Sequence, residues 1–235
     1  MARKAITVEL AADAAAVTPT PQTSDPKATV AKTDGRRERG TASAQRIIDT
    51  TIRLIAEDGI GGVTMQRIAA AIGSSNALVV FHFGSKDNLL RAVIQYLNDQ
   101  FDQMWQTMVN APGLDAVQRV LGAIDCARHF SRQHPDWVAV WVKVGGDRQT
   151  MQADRMISTR NDLAYNAEVR ALLAEIIESG GYEGADPDVL AAGLNYLVQG
   201  AWYWDNAFPE EKKSDAMRKS ALMLLSYALP RHFSA

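Results

Sequence analysis

One stretch, TMQRIAAAIGSSNALVVFHFGSKDNLL from Thr64 to Leu90, constrains the fold more than any other part of the chain. Thr64, Ser75 and Ser85 each stand just before a run with helical periodicity, where a hydroxyl accepts the otherwise unpaired N–H groups of a first turn. Gly73 breaks the first run. The pattern therefore predicts a short helix ending near Ala71, a tight turn, a second short helix over about 76–82, and a longer helix after Ser85. Ile68, Ala69 and Ile72 can pack on a preceding stripe of Ala44, Ile47, Ile48, Thr51, Leu54 and Ile55, which closes at Asp58 and Gly59. Leu78 or Val79, with Phe83, can fix the second short helix. Asn76, Ala77, Val80 and Phe81 then point away from the core, where the second helix of a helix-turn-helix meets the major groove.

Helical spacing continues to the end of the chain. Leu90, Val93, Ile94, Leu97, Phe101, Met104, Trp105 and Met108 share one face of the helix after Ser85, which stops at Pro112 and Gly113. Further helices are expected at about 114–134, 136–145, 151–179, 187–206 and 214–229. Asp186, Pro187 and Asp188 supply a cap, a proline at the first helical position and an acid in the first turn. Residues 138–142 alternate weakly like a strand, but Pro135 and Asp136 before them favour a helix. The fold class is all-α. Residues 1–38, rich in Ala, Thr, Pro and Lys, bury too little apolar surface to offset the entropy of ordering and are expected to be a flexible tail. Its basic tip, Arg36, Arg37 and Arg39 around Glu38, is either a solvated charge run or an arm lying along DNA.

Charge is divided unevenly. Residues 36–91 carry eight basic and five acidic side chains, a net of +3, whereas residues 92–235 are net −5. A basic module on an acidic body suits a protein that touches phosphate at one end only. A single cysteine, Cys126, precludes an intrachain disulfide and points to a reducing cytoplasm. No segment is long and apolar enough to span a membrane, and Glu9 and Asp13 interrupt any signal-peptide pattern. His82, His129, His134 and His232 lack metal-ligand spacing, Cys126 has no third partner beyond His129 and His134, and no glycine-rich phosphate loop occurs. No metal, no cofactor and no catalytic group is therefore expected.

The run Thr64, Ile68-Ala69, Gly73-Ser74-Ser75 and His82-Phe83-Gly84-Ser85-Lys86-Asp87-Asn88-Leu89-Leu90 resembles the DNA-binding domain of the tetracycline-repressor (TetR) family. The resemblance implies a three-helix DNA-binding domain at 39–90, followed at 91–235 by a larger helical domain that dimerises and holds an effector. It implies a dimeric repressor whose partners are double-stranded operator DNA, a second copy of itself and a small-molecule effector. On the matched positions, Thr64 and Ser75 would present helix N-termini to phosphate, His82 and Lys86 would reach phosphate, and Asn76 would read adenine. Ala77 and Phe81 would offer apolar contact to thymine methyls. The family usually has tyrosine where this chain has Val80, which removes a phosphate contact and leaves open a helical adaptor that has lost DNA binding.

Aromatic residues concentrate in the second half. Trp105, Trp137, Trp141, Tyr165 and Trp202 form either core or a pocket for an organic cation, with Asp125 or Asp205 adding a carboxylate. The segments around 135–141, 160–170 and 194–202 are loosely similar to the betaine-pathway repressor (BetI) subgroup, which implies a choline-type effector. The last two helices carry the stripes Tyr196, Leu197, Gly200, Trp204 and Met217, Ala221, Leu224, Leu225, expected at a four-helix dimer interface unless they pack within one subunit. A two-fold dimer would favour a palindromic operator.

Overall fold

The computed structural model describes residues 26–145, 158–209 and 215–233. Among these residues there is no strand, and nine α-helices follow one another: α1 (Pro26–Asp58), α2 (Met65–Ala71), α3 (Asn76–Phe83), α4 (Lys86–Met108), α5 (Ala116–Gln133), α6 (Pro135–Gly145), α7 (Ser158–Gly180), α8 (Pro187–Ala207) and α9 (Ala216–Ala228). A 3-10 turn at Ile60–Gly62 joins α1 to α2. The all-α expectation holds, residues 138–142 included. Residues 151–157 of the helix expected at 151–179 lie outside the described residues.

The expected flexible tail needs a correction over its last third. Residues 1–25 lie outside the described residues, but 26–38 are the opening turns of α1. Nucleation is the costly step of helix formation, and each further residue adds one hydrogen bond. A helix anchored by the stripe from Ile47 onward can therefore propagate back to Pro26. From Ala42 to the C-terminus the chain is one compact unit.

That unit contains two apolar cores. The first gathers Ile47, Ile52, Leu54 and Ile55 of α1, Ile68 and Ala69 of α2, Val79 of α3 and Leu89, Leu90, Val93, Ile94 and Leu97 of α4. The second is built around Phe101 and Trp105 of α4, Phe130 of α5, Leu172 and Leu173 of α7, Leu194 and Trp202 of α8, and Leu225 of α9. Two helices belong to both. One face of α4 enters the first core with its N-terminal half and the second with its C-terminal half. Helix α6 sends Val140 and Val144 into the first core and Val138 into the second, while Trp137 and Trp141 border both. Lys143 of α6 also donates to the carbonyl of Ala56, in the last turn of α1.

Candidate DNA-binding face and effector cavity

Local chemistry builds the helix-turn-helix as its sequence suggests. The Thr64 hydroxyl accepts from the Arg67 N–H at 3.1 Å, Ser75 from Leu78 at 3.3 Å and Ser85 from Asn88 at 3.2 Å. Gly73 and Gly84 end α2 and α3 at φ +65° and +71°, a region that costs a residue with a Cβ strain. Val79 is fully buried, and Leu78 and Phe83 are half-buried, so one face of α3 is fixed. Exposed on α3 are Asn76 and Ala77 in its first turn, with Val80 at 41% and Phe81 at 82% exposure.

His82 is half-buried, its ring edge-on to Phe81 at 5.4 Å. The Lys86 ammonium donates to the Ile60 carbonyl at 2.8 Å, which holds it against the 3-10 turn at the start of α4. An ammonium has three donors, so this bond orients it without exhausting it. Two supports were not legible in the sequence. Arg46 donates to the Ile72 carbonyl at 3.1 Å, and Arg67 pairs with Asp58 while donating to the Gly62 carbonyl at 2.9 Å. Both are ordinary surface arginines until the helices are assembled.

A cavity of about 270 Å³ lies inside the second core, between α4, α5, α6, α7 and α8. Its walls include the rings of Phe101, Trp105, Trp141, Tyr165 and Trp202, and its polar groups are Asn98, Asp162, Asn166, Asn195 and Gln199. Trp141 and Trp202 stack at 5.5 Å and 16°, while Trp105 and Tyr165 lie 4.6 Å apart. The Trp105 indole donates to Glu168 at 2.9 Å, and Arg119 holds the other oxygen of that carboxylate at 2.7 Å. Tyr165 donates to Asp102 at 3.3 Å, and burial first, then the Asp102 charge, push its phenol well above the ordinary value. It therefore stays a protonated donor. The Trp141 indole N–H is buried and has no hydrogen-bond partner among the described residues.

Two expected wall residues are elsewhere. Trp137 is absent from the cavity; its ring stacks on His134 at 3.7 Å and meets Tyr96 edge-on at 5.7 Å. It lies one turn before Trp141, which carries it past the end of the cavity. Asp125 is also absent, because it pairs with Arg218 of α9 at 2.6 and 3.3 Å. Its neighbour Ile124 does line the cavity, and one step along a helix turns a side chain by about 100°. The carboxylate at the wall is instead Asp162, one turn before Tyr165 on α7. That spacing is visible in the sequence, but nothing there says that this face of α7 turns inward.

Residues 47–93 match the family described as bacterial regulatory proteins, tetR family. Those residues are a TetR-type DNA-binding domain. The chain is similar to the transcriptional repressor NicS of Pseudomonas putida, 21% identical over 71% of this chain and 76% of that one. It is likewise similar to the transcriptional regulator BetI of Serratia proteamaculans, 24% identical over 67% of this chain and 78% of that one. Its fold is shared with a transcriptional regulator from Saccharomonospora viridis solved in complex with choline, with a TM-score of 0.68, 20% identity, and coverage of 80% and 97%. The match covers the helix-turn-helix segment, and the similar curated proteins are transcriptional regulators.

The two stripes expected at a dimer interface divide in the structure. Tyr196 and Trp204 are exposed at 73% and 52%, Gly200 is exposed, and Leu197, Met217 and Leu224 are half-buried. Ala221 and Leu225 need correction: at 1% and 0% exposure they are core of the protomer and unavailable to a partner. They face α5 and α8, because α9 has apolar residues on more than one side and its inner side is used for its own fold. Sequence reasoning missed the exposed Met223 and Tyr227 of α9 and Tyr203 of α8. Large apolar residues at solvent-facing positions are the signal, but it is readable only once the inner face is known.

Proposed function

We propose that this protein is a homodimeric repressor that binds a palindromic operator and is released from it by a small organic cation of the choline type. The observation that carries the reading is the position of the cavity: its walls include residues of α4 and α6, the two helices that also enter the DNA-binding core. Aromatic faces attract organic ammonium groups, most strongly when desolvated, and Asp162 supplies a carboxylate at the same wall. Five aromatic rings around about 270 Å³ suit a ligand of few heavy atoms. The likeness to BetI and to the fold of a choline-bound regulator supports the same ligand class.

Occupancy would be felt through Phe101 and Trp105 on α4 and Trp141 on α6. Displacing either helix repacks Val140, Val144, Leu97 and Ile94, and so reorients α2 and α3. Coupling of about 1–3 kcal/mol gives a 5- to 150-fold change in operator affinity. The exposed apolar residues of α8 and α9 provide the surface for a second copy, which would set two α3 helices about one DNA turn, roughly 34 Å, apart. A gel shift on the gene's own upstream DNA, at fixed salt, tests the reading. A specific shift weakened by choline or betaine aldehyde is the expected result. A specific shift indifferent to both would remove the effector class and keep the operator. No specific shift would favour an adaptor of the same fold, consistent with Val80 standing where the family has tyrosine.

A further inference from the structure

We propose that α3 reads its operator chiefly through thymine 5-methyl groups, so that the centre of each half-site is A·T. The inference rests on the DNA-binding reading and deepens it by naming the base chemistry. Ala77, Val80 and Phe81 are three and four residues apart, hence neighbours on one helical face, and all are exposed. Phe81, at 82% exposure, places almost its whole ring in solvent. Exposed apolar side chains scattered singly are ordinary, but three adjacent ones on the helix that enters the groove form a surface awaiting an apolar partner.

In the major groove the apolar group a base pair presents is the thymine methyl. The groups that usually read guanine are missing from α3: between Asn76 and Phe83 there is no arginine or lysine. His82 is half-buried, its ring packed against those of Phe81 and Phe83. Lys86 is held at the Ile60 carbonyl. The exposed amide of Asn76 is suited to adenine N6 and N7. Amide and apolar patch therefore select the two partners of the same base pair.

The test begins with full-length protein and a randomised duplex library, from which bound sites are selected and sequenced. The selected site is then resynthesised with deoxyuridine in place of thymidine, which removes the methyl and keeps every hydrogen-bonding group. The expected result is an A·T half-site core and a loss of about three- to fivefold for each contacted methyl, the transfer value of one buried carbon. Phe81→Ala, checked for fold by circular dichroism, should narrow the gap between the thymidine and deoxyuridine sites by about the three- to fivefold of one methyl contact. Equal binding of both sites by the wild-type protein, or a core fixed as G·C, would overturn the inference while leaving operator binding intact. Failure to enrich any sequence would overturn both.

Discussion

Replacing Gly122 with alanine sets a local rule against a tertiary one. Gly122 lies in the interior of α5, where alanine is favoured over glycine by about 1 kcal/mol, so sequence reasoning alone predicts stabilisation. In the fold, a Cβ at this position would stand 2.3 Å from the carbonyl oxygen of Met108, 3.1 Å from its carbon and 3.6 Å from the Cα of Val109. The closest comfortable C···O approach is about 3.3 Å, so α5 and the end of α4 must separate by about 1 Å. Backbone is on the far side, and it has no rotamer with which to move aside. Overpacking of this kind costs about 1–3 kcal/mol and occasionally more. With backbone as the obstacle the cost falls in the upper part of that range, about 2–3 kcal/mol, so after the propensity gain a net loss of about 1–2 kcal/mol is expected, or roughly 2–8 °C in Tm for a chain of this size. Because Trp105 sits in the same last turn of α4 and lines the cavity, effector binding should weaken as well. Thermal and urea unfolding at one fixed protein concentration provide the assay. A Gly122→Ala protein as stable as the wild type, or more so, would refute the reasoning.

Gly200→Ala should behave in the opposite sense within the protomer, since its Cβ would meet nothing within 4 Å; by sedimentation the same variant should dimerise less tightly if α8 approaches its partner closely there. Glu168→Ala leaves the Trp105 indole without its acceptor and Arg119 without its carboxylate, so ligand titration followed by tryptophan fluorescence should show weaker binding, with about 1–3 kcal/mol of stability lost. Burial first, then the neighbouring His129, holds the His134 imidazole below its ordinary 6.5. Protonation therefore favours the unfolded chain, so this contribution is complete above about pH 6.5 and drains away as pH falls toward the folded value. Melting temperature against pH should decline below 6.5, and His134→Gln should flatten part of that slope.

The sequence by itself determined the elements and the DNA-binding module. Caps and glycines act within a few residues of themselves, so Thr64, Ser75, Ser85 and Asp186 mark helix starts in the sequence as they do in the fold. A short amphipathic helix can bury only one stripe, which makes Leu78 or Val79 inward and Phe81 outward before any neighbour is known. Aromatic spacing also identified four of the five rings around the cavity, though Phe101 was read as part of the α4 stripe alone.

Tertiary structure decided what depends on which helix faces which. Asp125 and Asp162 are both acids on amphipathic helices; only the packing of α5 on α9 and of α7 on α4 gives one to Arg218 and the other to the cavity. Trp137 and Trp141 share a helix and a residue type, yet the end of the cavity falls between them. Ala221 and Leu225 belong to a stripe that looked available to a partner, and the protomer's own core takes them. Gly122 shows the same limit most sharply, because the atom that forbids its alanine belongs to another helix. Periodicity fixes each helix's own inside and outside, but the identity of what lies there is set by contacts between helices.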